Sequence, residues 1–383
     1  MLSLATHSWT HHAPTRILFG SGTVEQIAGL VNRRKTLLVT SAGFTRRGVT
    51  ARLTSLLADT KTIVWDRVQP NPDLALLDEA LKGLGGAPVE CVVALGGGSA
   101  MDTAKAFSVG LALNIFLRDH FENKQPLPPG SLLPVITIPT TAGTGSEVTP
   151  FGTIWDHRLA RKYSIASPHL FPESAILDPD LTINLPADVT LSTGLDALSQ
   201  GLESVWNRNA TPISMGLAVS AAKLALENLP LLMADLANPN LRSKMMSASL
   251  LAGLAISQTR TALAHSMSYP ITAHFGVPHG LACSFMLPEI LEFNAASDDG
   301  RLQKLAHQLG ESGTVTLIRR LASLMTDLHV KSALDKYIQN PDDVLRHVDE
   351  MNTPGRSDNN LRTVTKDEIR LILTKAIART FET

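Results

Sequence analysis

Hydrophobic positions along the first 185 residues follow two alternating spacings. Short β-type runs, Arg16–Phe19, Thr36–Thr40, Thr62–Trp65, Cys91–Leu95 and Val135–Ile138, are separated by stretches with apolar residues three and four apart. Those stretches are Thr23–Val31, Arg47–Leu57, Asp73–Leu84 and Ala100–Leu113. Strands alternating with helices predict a parallel sheet with helices on both faces. Beyond the turn-rich Asp178–Pro186 the β signal fades. Helical spacing then runs through Asp188–Trp206, Pro212–Asn228, Pro239–Gln258, Gly280–Ala295, Arg301–Leu309, Val315–Leu328, Val330–Asn340 and Lys366–Phe381. The pattern predicts an α/β domain over 1–185 and an all-α domain over 186–383. They are expected to pack directly together, with a ligand cleft between them.

Composition narrows the class of partner. A chain of 383 residues with 44% hydrophobic and 18% charged positions is long enough for two cores and shows no sign of large-scale disorder. A formal net charge of -1 gives no electrostatic reason to expect nucleic acid or an anionic membrane. Cys91 and Cys283 each sit in an apolar run and form no CxxC pair, which reads as two buried, inert thiols in a reducing compartment. The stretch MLSLATHSWTHHAPT lacks the positive start and apolar core of a leader, and no run approaches the ~18 apolar residues of a spanning helix. A cytoplasmic location is expected.

Candidate chemistry appears in three places. The run CVVALGGGSAMDTAK, 91–105, is a strand that ends in glycines and enters a helix, where free amides and the helix dipole favour an anion. It has neither the GxGxxG spacing nor a P-loop ending, so a purely structural turn carries about equal weight. The cluster IPTTAGTGSEVT, 138–149, follows the next strand and would line the same crevice, with Asn71 after the third strand as a further edge. Asp196 and Gln200 lie at i and i+4, and His265 and His279 flank an apolar stretch. These four side chains provide a nitrogen/oxygen metal site in which Gln200 is the weak member.

GGGSAMDTAK at 96–105, TTAGTGSE at 140–147, the Asp196 segment and the two histidines, in this order and at these separations, resemble the iron-containing (group III metal-dependent) alcohol dehydrogenases. The similarity covers nearly the whole chain. It implies a Rossmann-like dinucleotide domain, an all-helical C-terminal domain of the dehydroquinate synthase-like fold, and a divalent metal between them. Position by position, it implies that Gly97, Gly98 and Ser99 hold the pyrophosphate, with Asp102 and Lys105 close to the nucleotide. Thr140, Thr141 and Thr144 match the adenine and ribose region, and Asp196, Gln200, His265 and His279 match the metal positions. Gln200 stands where most members have His, and Tyr269 stands where many have a second His, four residues after His265. A neutral amide ligand should bind more weakly and lean towards a harder ion; Fe2+ is the family expectation, with Zn2+ and Mn2+ as alternatives. A homodimer is implied by the resemblance alone.

The departures also resemble one branch. DALSQ and ESVWNRNATPIS within 196–214, HSMSYPIT at 265–272 and RSDNN at 356–360 are similar to the phosphonoacetaldehyde reductases. The expected reaction is reduction of a small anionic aldehyde, phosphonoacetaldehyde, to its primary alcohol by NADPH or NADH. Tyr269 is the candidate proton donor beside His265, and an aromatic wall is its bland reading. The anionic group needs fixed donors, for which Arg161, Lys162, Arg208, His274 and Arg356 are candidates; Asn359 and Asn360 either orient substrate or cap the last helix. The second strand ends in Ser41 rather than a carboxylate, with Arg46 and Arg47 following, so NADPH should be accepted. A general short-chain alcohol or 1,2-diol dehydrogenase is the alternative within the family. A lyase of the dehydroquinate synthase type fits less well. A nucleotide-binding protein that has lost its metal is the non-catalytic alternative.

Overall fold

The computed structural model describes residues 8–123, 126–128, 130–159 and 161–382; the first seven residues, part of the stretch read for a leader, lie outside them. The described chain falls into two compact units. One comprises Ala13–Thr141 and Ser146–Thr182. The other holds Ile183–Thr383, the short insert Ala142–Gly145 and the segment up to His12.

The first unit contains β1 (Arg16–Phe19), α1 (Ile27–Val31), β2 (Thr36–Val39), α2 (Ala42–Arg46), α3 (Val49–Leu56), β3 (Thr62–Trp65), α4 (Leu74–Leu84), β4 (Cys91–Gly96), α5 (Gly98–Leu113) and α6 (Leu117–Asn123). There follow β5 (Val135–Pro139), β6 (Phe151–Asp156), β7 (Arg161–Ala166) and β8 (Ser174–Leu177). Six strands form one parallel sheet in the order β1-β8-β5-β4-β2-β3, while β6 and β7 make a separate antiparallel hairpin. Alternation along each strand sends side chains to opposite faces. Leu37, Val39, Val92 and Ala94 join a core with Leu77, Leu81, Met101 and Phe107 of α4 and α5. Leu38, Cys91, Val93 and Leu95 pack instead with Ile27, Val31 and Leu53 of α1 and α3. Both faces are therefore covered, as the strand–helix alternation predicts.

Three strands escape the hydrophobic pattern. β8 is only four residues long and wholly buried between β1 and β5, so it shows no alternation. The hairpin hides behind the charged Arg161 and Lys162 of β7. Several helix limits also differ, among them the ends of Pro212–Ala234 and Val330–Leu334, and two have a visible reason. The expected Arg47–Leu57 helix starts at Val49, because Gly48 in the left-handed region (φ 77°) caps it. The expected Gly280–Ala295 helix is two helices, since Pro288 lacks the amide that would reach back across the break.

The second unit is all helical: α7 (Ala187–Val205), α8 (Pro212–Ala234), α9 (Pro239–Thr259), α10 (Leu263–Phe275), α11 (His279–Ser284), α12 (Leu287–Ala295), α13 (Arg301–Gln308), α14 (Thr314–Asp327), α15 (Val330–Leu334) and α16 (Lys366–Phe381). Contrary to the sequence expectation, α8 is long and apolar enough to cross a membrane. It packs as a core helix, burying Ala218, Ala221, Ala222 and Ala225, and carries Lys223 and Glu227 as an i,i+4 ion pair. The α10 helix had no separate periodic signal, because Pro270 interrupts it; it nonetheless runs through that residue.

Candidate active site

Asp196, Gln200 and Glu203 stand at i, i+4 and i+7 on α7, which aligns them along one stripe of a helix buried on nearly every side. Ser284 ties α11 to α7 by donating to Leu195 O at 3.0 Å, and its hydroxyl shares a hydrogen bond of 2.9 Å with Ser199. The approach is so close that a Cβ on Gly280 would lie 1.8 Å from Ser192 O. Glycine at 280 thus sets the position of its neighbour, His279.

Glu203 caps α10 in place of a local side chain. Its carboxylate accepts from the amides of Ala262 (3.2 Å), Ala264 (2.5 Å) and His265 (3.3 Å), and from His265 Nδ1 at 2.5 Å. With Nδ1–H donated to Glu203, the neutral ring presents the Nε2 lone pair to Asp196 Oδ1, 3.3 Å away. Asp196 Oδ1 has no hydrogen bond there, and Gln200 Oε1 is also buried without a partner. Two acceptors facing each other at that distance need a cation between them, either a proton or a metal ion. The donor atoms of Asp196, His265, His279 and Cys283 all lie within 4.8 Å of one another. This set fits a divalent ion.

The electrostatics agree with that fit. Burial opposes charge on His265, but the Cys283 thiol and the carboxylates of Glu203 and Asp196 outweigh it and hold the ring well above its ordinary value. His279 is raised in the same way, chiefly by Cys283 against burial. Asp196 is lowered by the two imidazoles despite desolvation. Cys283 is held down at about 7 by His265 and His279, although burial alone would raise it. The shifts are mutual: the acidic neighbours raise the two imidazoles, and the imidazoles lower Asp196 and Cys283.

Gln200 is not arranged like its neighbours. Its Nε2 donates to Thr144 O at 3.3 Å, and its nearby amide helps to hold the Asp196 carboxyl low. Thr144, matched by the resemblance to the ribose region, lies in the insert grouped with the helical unit. Gly145 lets that insert pass: its φ is +63°, and a Cβ there would fall 2.4 Å from Gly253 Cα. Tyr269 sits one turn after His265 on α10. Its ring lies nearly parallel to that of His279, centroids 6.0 Å apart, and its hydroxyl accepts from Arg356 Nε at 3.3 Å.

In the sheet unit, the loops after β2, β4 and β5 leave the carboxyl ends of adjacent parallel strands, and the direction of strand progression reverses between β2 and β4. Such a switch point is where α/β sheets bind nucleotides. Gly97 caps α5, and the half-buried Gly98 and Ser99 open its first turn, whose amides lack intrahelical partners. Thr140 N donates to Gly96 O at 3.0 Å, and Thr141 Oγ1 stands 3.2 Å from where a Cβ on Gly97 would be. Ser41 is the half-buried N-cap of α2, while Asn71, in the left-handed region (φ 55°), is exposed and its carbonyl accepts from His157 Nε2. Asp102 is half-buried and accepts from Ser146 Oγ (2.7 Å) and Thr153 N (3.0 Å). Lys105, implied by the resemblance to lie close to the nucleotide, follows three residues later on α5. It is fully buried, and its ammonium donates to Ser146 O, Ser146 Oγ, Thr149 Oγ1 and Phe151 O.

The five substrate candidates are divided between the two units. Within the helical unit, Arg356 is tied to the cluster through Tyr269. Arg208 is spent on Leu361 O and Thr363 Oγ1. His274 is exposed and paired with Glu350, its ring stacked on His347. Arg161 and Lys162 belong to the β6–β7 hairpin, over the rings of Tyr163 and Trp155. Asn359 donates to Thr261 O, and Asn360 binds Asn294; the cap of α16 is Thr365 instead. Sequence reasoning passed over Glu203 and read Cys283 as a buried thiol, which it is, without placing it beside the two imidazoles. A carboxylate in helical register with Asp196 and Gln200 was the available signal for the first, and the i+4 spacing from His279 for the second.

Comparison with known proteins places these features in a family. Residues 14–179 match the family model for iron-containing alcohol dehydrogenase, and residues 190–377 match that for the C-terminal part of the Fe-containing alcohol dehydrogenase family. The chain is 31% identical over 386 residues to a sulfoacetaldehyde reductase of Bilophila wadsworthia, covering 96% of this chain and 98% of that one. It is 30% identical over 300 residues to a lactaldehyde reductase of Escherichia coli, covering 76% and 77%. Among solved structures, a sulfoacetaldehyde reductase from Bifidobacterium kashiwanohense in complex with NAD+ superposes with a TM-score of 0.88 at 32% identity, covering 97% of this chain and 99% of that one.

Proposed function

Since the chain belongs to the iron-containing alcohol dehydrogenase family and is an oxidoreductase, we propose that it reduces a small aldehyde bearing a tetrahedral anionic head, a phosphonate or a sulfonate, to the primary alcohol. The observation that carries this reading is the Arg356 guanidinium bound to the Tyr269 hydroxyl, whose ring in turn lies on His279. A cation so close to the donor cluster suits the far end of a two-carbon anionic substrate. Arg260 adds to it. Its guanidinium is lowered by desolvation and by the neighbouring charge of Arg356, and its backbone occupies φ 61°, a costly conformation for a residue with a side chain. Two arginines near each other, one of them on strained backbone, suit a site that awaits an anion. The relatives that act on sulfoacetaldehyde point the same way.

In this reading Asp196, His265 and His279 hold a divalent iron, zinc or manganese ion. When bound, such an ion polarises a carbonyl oxygen and a nicotinamide supplies hydride. Glu203 fixes the His265 ring so that Nε2 stays available. In this reading the Tyr269 O–H, one turn from His265, holds and passes the proton that completes the alcohol. Gly97, Gly98 and Ser99 are proposed to take the pyrophosphate at the start of α5. No carboxylate ends β2, so both NADH and NADPH should serve.

The test is a steady-state panel with each nicotinamide and added metal. Phosphonoacetaldehyde and sulfoacetaldehyde should exceed propanal and lactaldehyde in kcat/KM, and Arg356→Ala should cut the anionic pair by ~10–100-fold, the loss of one charge-assisted hydrogen bond, while sparing propanal. Equal activity across the panel would instead favour a general short-chain alcohol dehydrogenase.

A further inference from the structure

We propose that Cys283 is a protein ligand of the metal, taking the place left without an imidazole at Gln200, so that the centre is an Asp-His-His-Cys set. The inference rests on the metal-dependent reading above and deepens it. Cys283 follows His279 by four residues on α11, so both side chains leave the same face of the helix. Its Sγ lies 3.6 Å from His279 Nε2 and 3.8 Å from Nδ1. A tetrahedral site with a metal–sulfur bond of about 2.3 Å and a metal–nitrogen bond of about 2.0 Å has a sulfur–nitrogen edge of about 3.5 Å. The edge between a nitrogen and an oxygen donor is about 3.3 Å on the same reckoning, and His265 Nε2 stands 3.3 Å from Asp196 Oδ1. Two of the six donor–donor edges thus already have the lengths of such a tetrahedron, and the rest lie within 4.8 Å.

Gln200 offers the ion neither an imidazole nor a charge. Its Nε2 is held by Thr144 O, which leaves only the neutral Oε1, 3.6 Å from where a Cβ on Gly145 would stand. A free cysteine that only fills a core is surrounded by apolar atoms; this one is grouped with two imidazoles and a carboxylate. A thiolate in the set turns the metal preference away from the hard ions that a Gln ligand would favour and towards zinc or iron.

X-ray absorption at the metal edge of the zinc-loaded protein tests this without any variant. One sulfur neighbour at about 2.3 Å is expected, and an ion bound stoichiometrically with only nitrogen and oxygen neighbours would overturn the proposal while leaving the metal-dependent reading intact. Cobalt-loaded protein should show an intense thiolate-to-metal charge-transfer band in the near ultraviolet. Cys283→Ser should abolish that band and weaken zinc binding in a chelator competition by at least ~10-fold; an unchanged band would also overturn it. Cys91, the other cysteine, is buried in the sheet core, so Cys91→Ala should keep the band. Failure of the wild-type protein to bind any metal, with aldehyde reduction persisting, would overturn both this proposal and the reading beneath it.

Discussion

Glu203 shows how much one buried side chain decides. It satisfies three backbone amides at the start of α10 and the Nδ1 of His265 at once, so its charge is needed both by the helix and by the ring. Glu203→Gln would turn an amide N–H towards groups that are themselves donors. The expected result is a ~10–100-fold loss of metal affinity in a chelator competition, with ~1–3 kcal/mol lost from folding in a denaturant titration. Metal affinity equal to the wild type would remove its orienting role. Residues of this kind are hard to read from sequence. Asp196, His265 and His279 stand out because their types suit metals. Glu203 resembles any charged helix position until its burial is known, and the apolar flanks of Cys283 report that it is inside without reporting what lies there. Partnership between Glu203 and His265, 62 residues apart, is a property of the packed fold.

At the scale of elements, the contact of α11 with α7 matters most for the cluster, and Gly280 is its tightest point. A methyl at 280 would overlap the Ser192 carbonyl, a backbone atom with nowhere to move, so Gly280→Ala should cost ~3 kcal/mol or more and displace His279. Gly216→Ala on α8 meets open space and should instead stabilise by up to about 1 kcal/mol. Thermal unfolding of the two variants checks the contrast; similar stabilisation by both would mean that helix propensity and not packing governs position 280. The elements themselves were legible wherever burial leaves a period. Five of the six strands of the parallel sheet are visible as β-type runs, and α7, α8, α9 and α16 as helical ones. β8 was not, because a four-residue strand buried on both sides has no polar face to mark it, and α10 was obscured by Pro270 in its interior.

For the whole molecule, a net charge of -1 leaves long-range electrostatics weak, so the pH dependence of stability falls to a few buried groups. Lys105 and Glu147 are the clearest of these, both in the sheet unit and both nearly inaccessible. Burial lifts the Glu147 carboxyl from 4.5 to about 7, even though its own backbone amide and the Lys105 charge pull it down. Burial likewise lowers Lys105 from 10.5 to about 8 against the attraction of Asp102 and Glu147. A carboxyl whose folded value is raised contributes stability that is complete below its unfolded value and is lost as pH rises through the folded one. Glu147 therefore favours the folded state at pH 4.5 and progressively less up to about 7. Lys105 acts at higher pH and in the other sense: between about 8 and 10.5 the unfolded chain binds more protons, so stability rises with pH. Glu147→Gln isolates the acidic limb. Melting temperatures of the wild type and this variant, compared from about pH 5 to pH 7, should show the wild type losing ground steadily as pH rises, because only it must ionise or hold a proton in the core. A difference that stays flat across that window would show that Glu147 reaches solvent or a compensating charge in the folded chain.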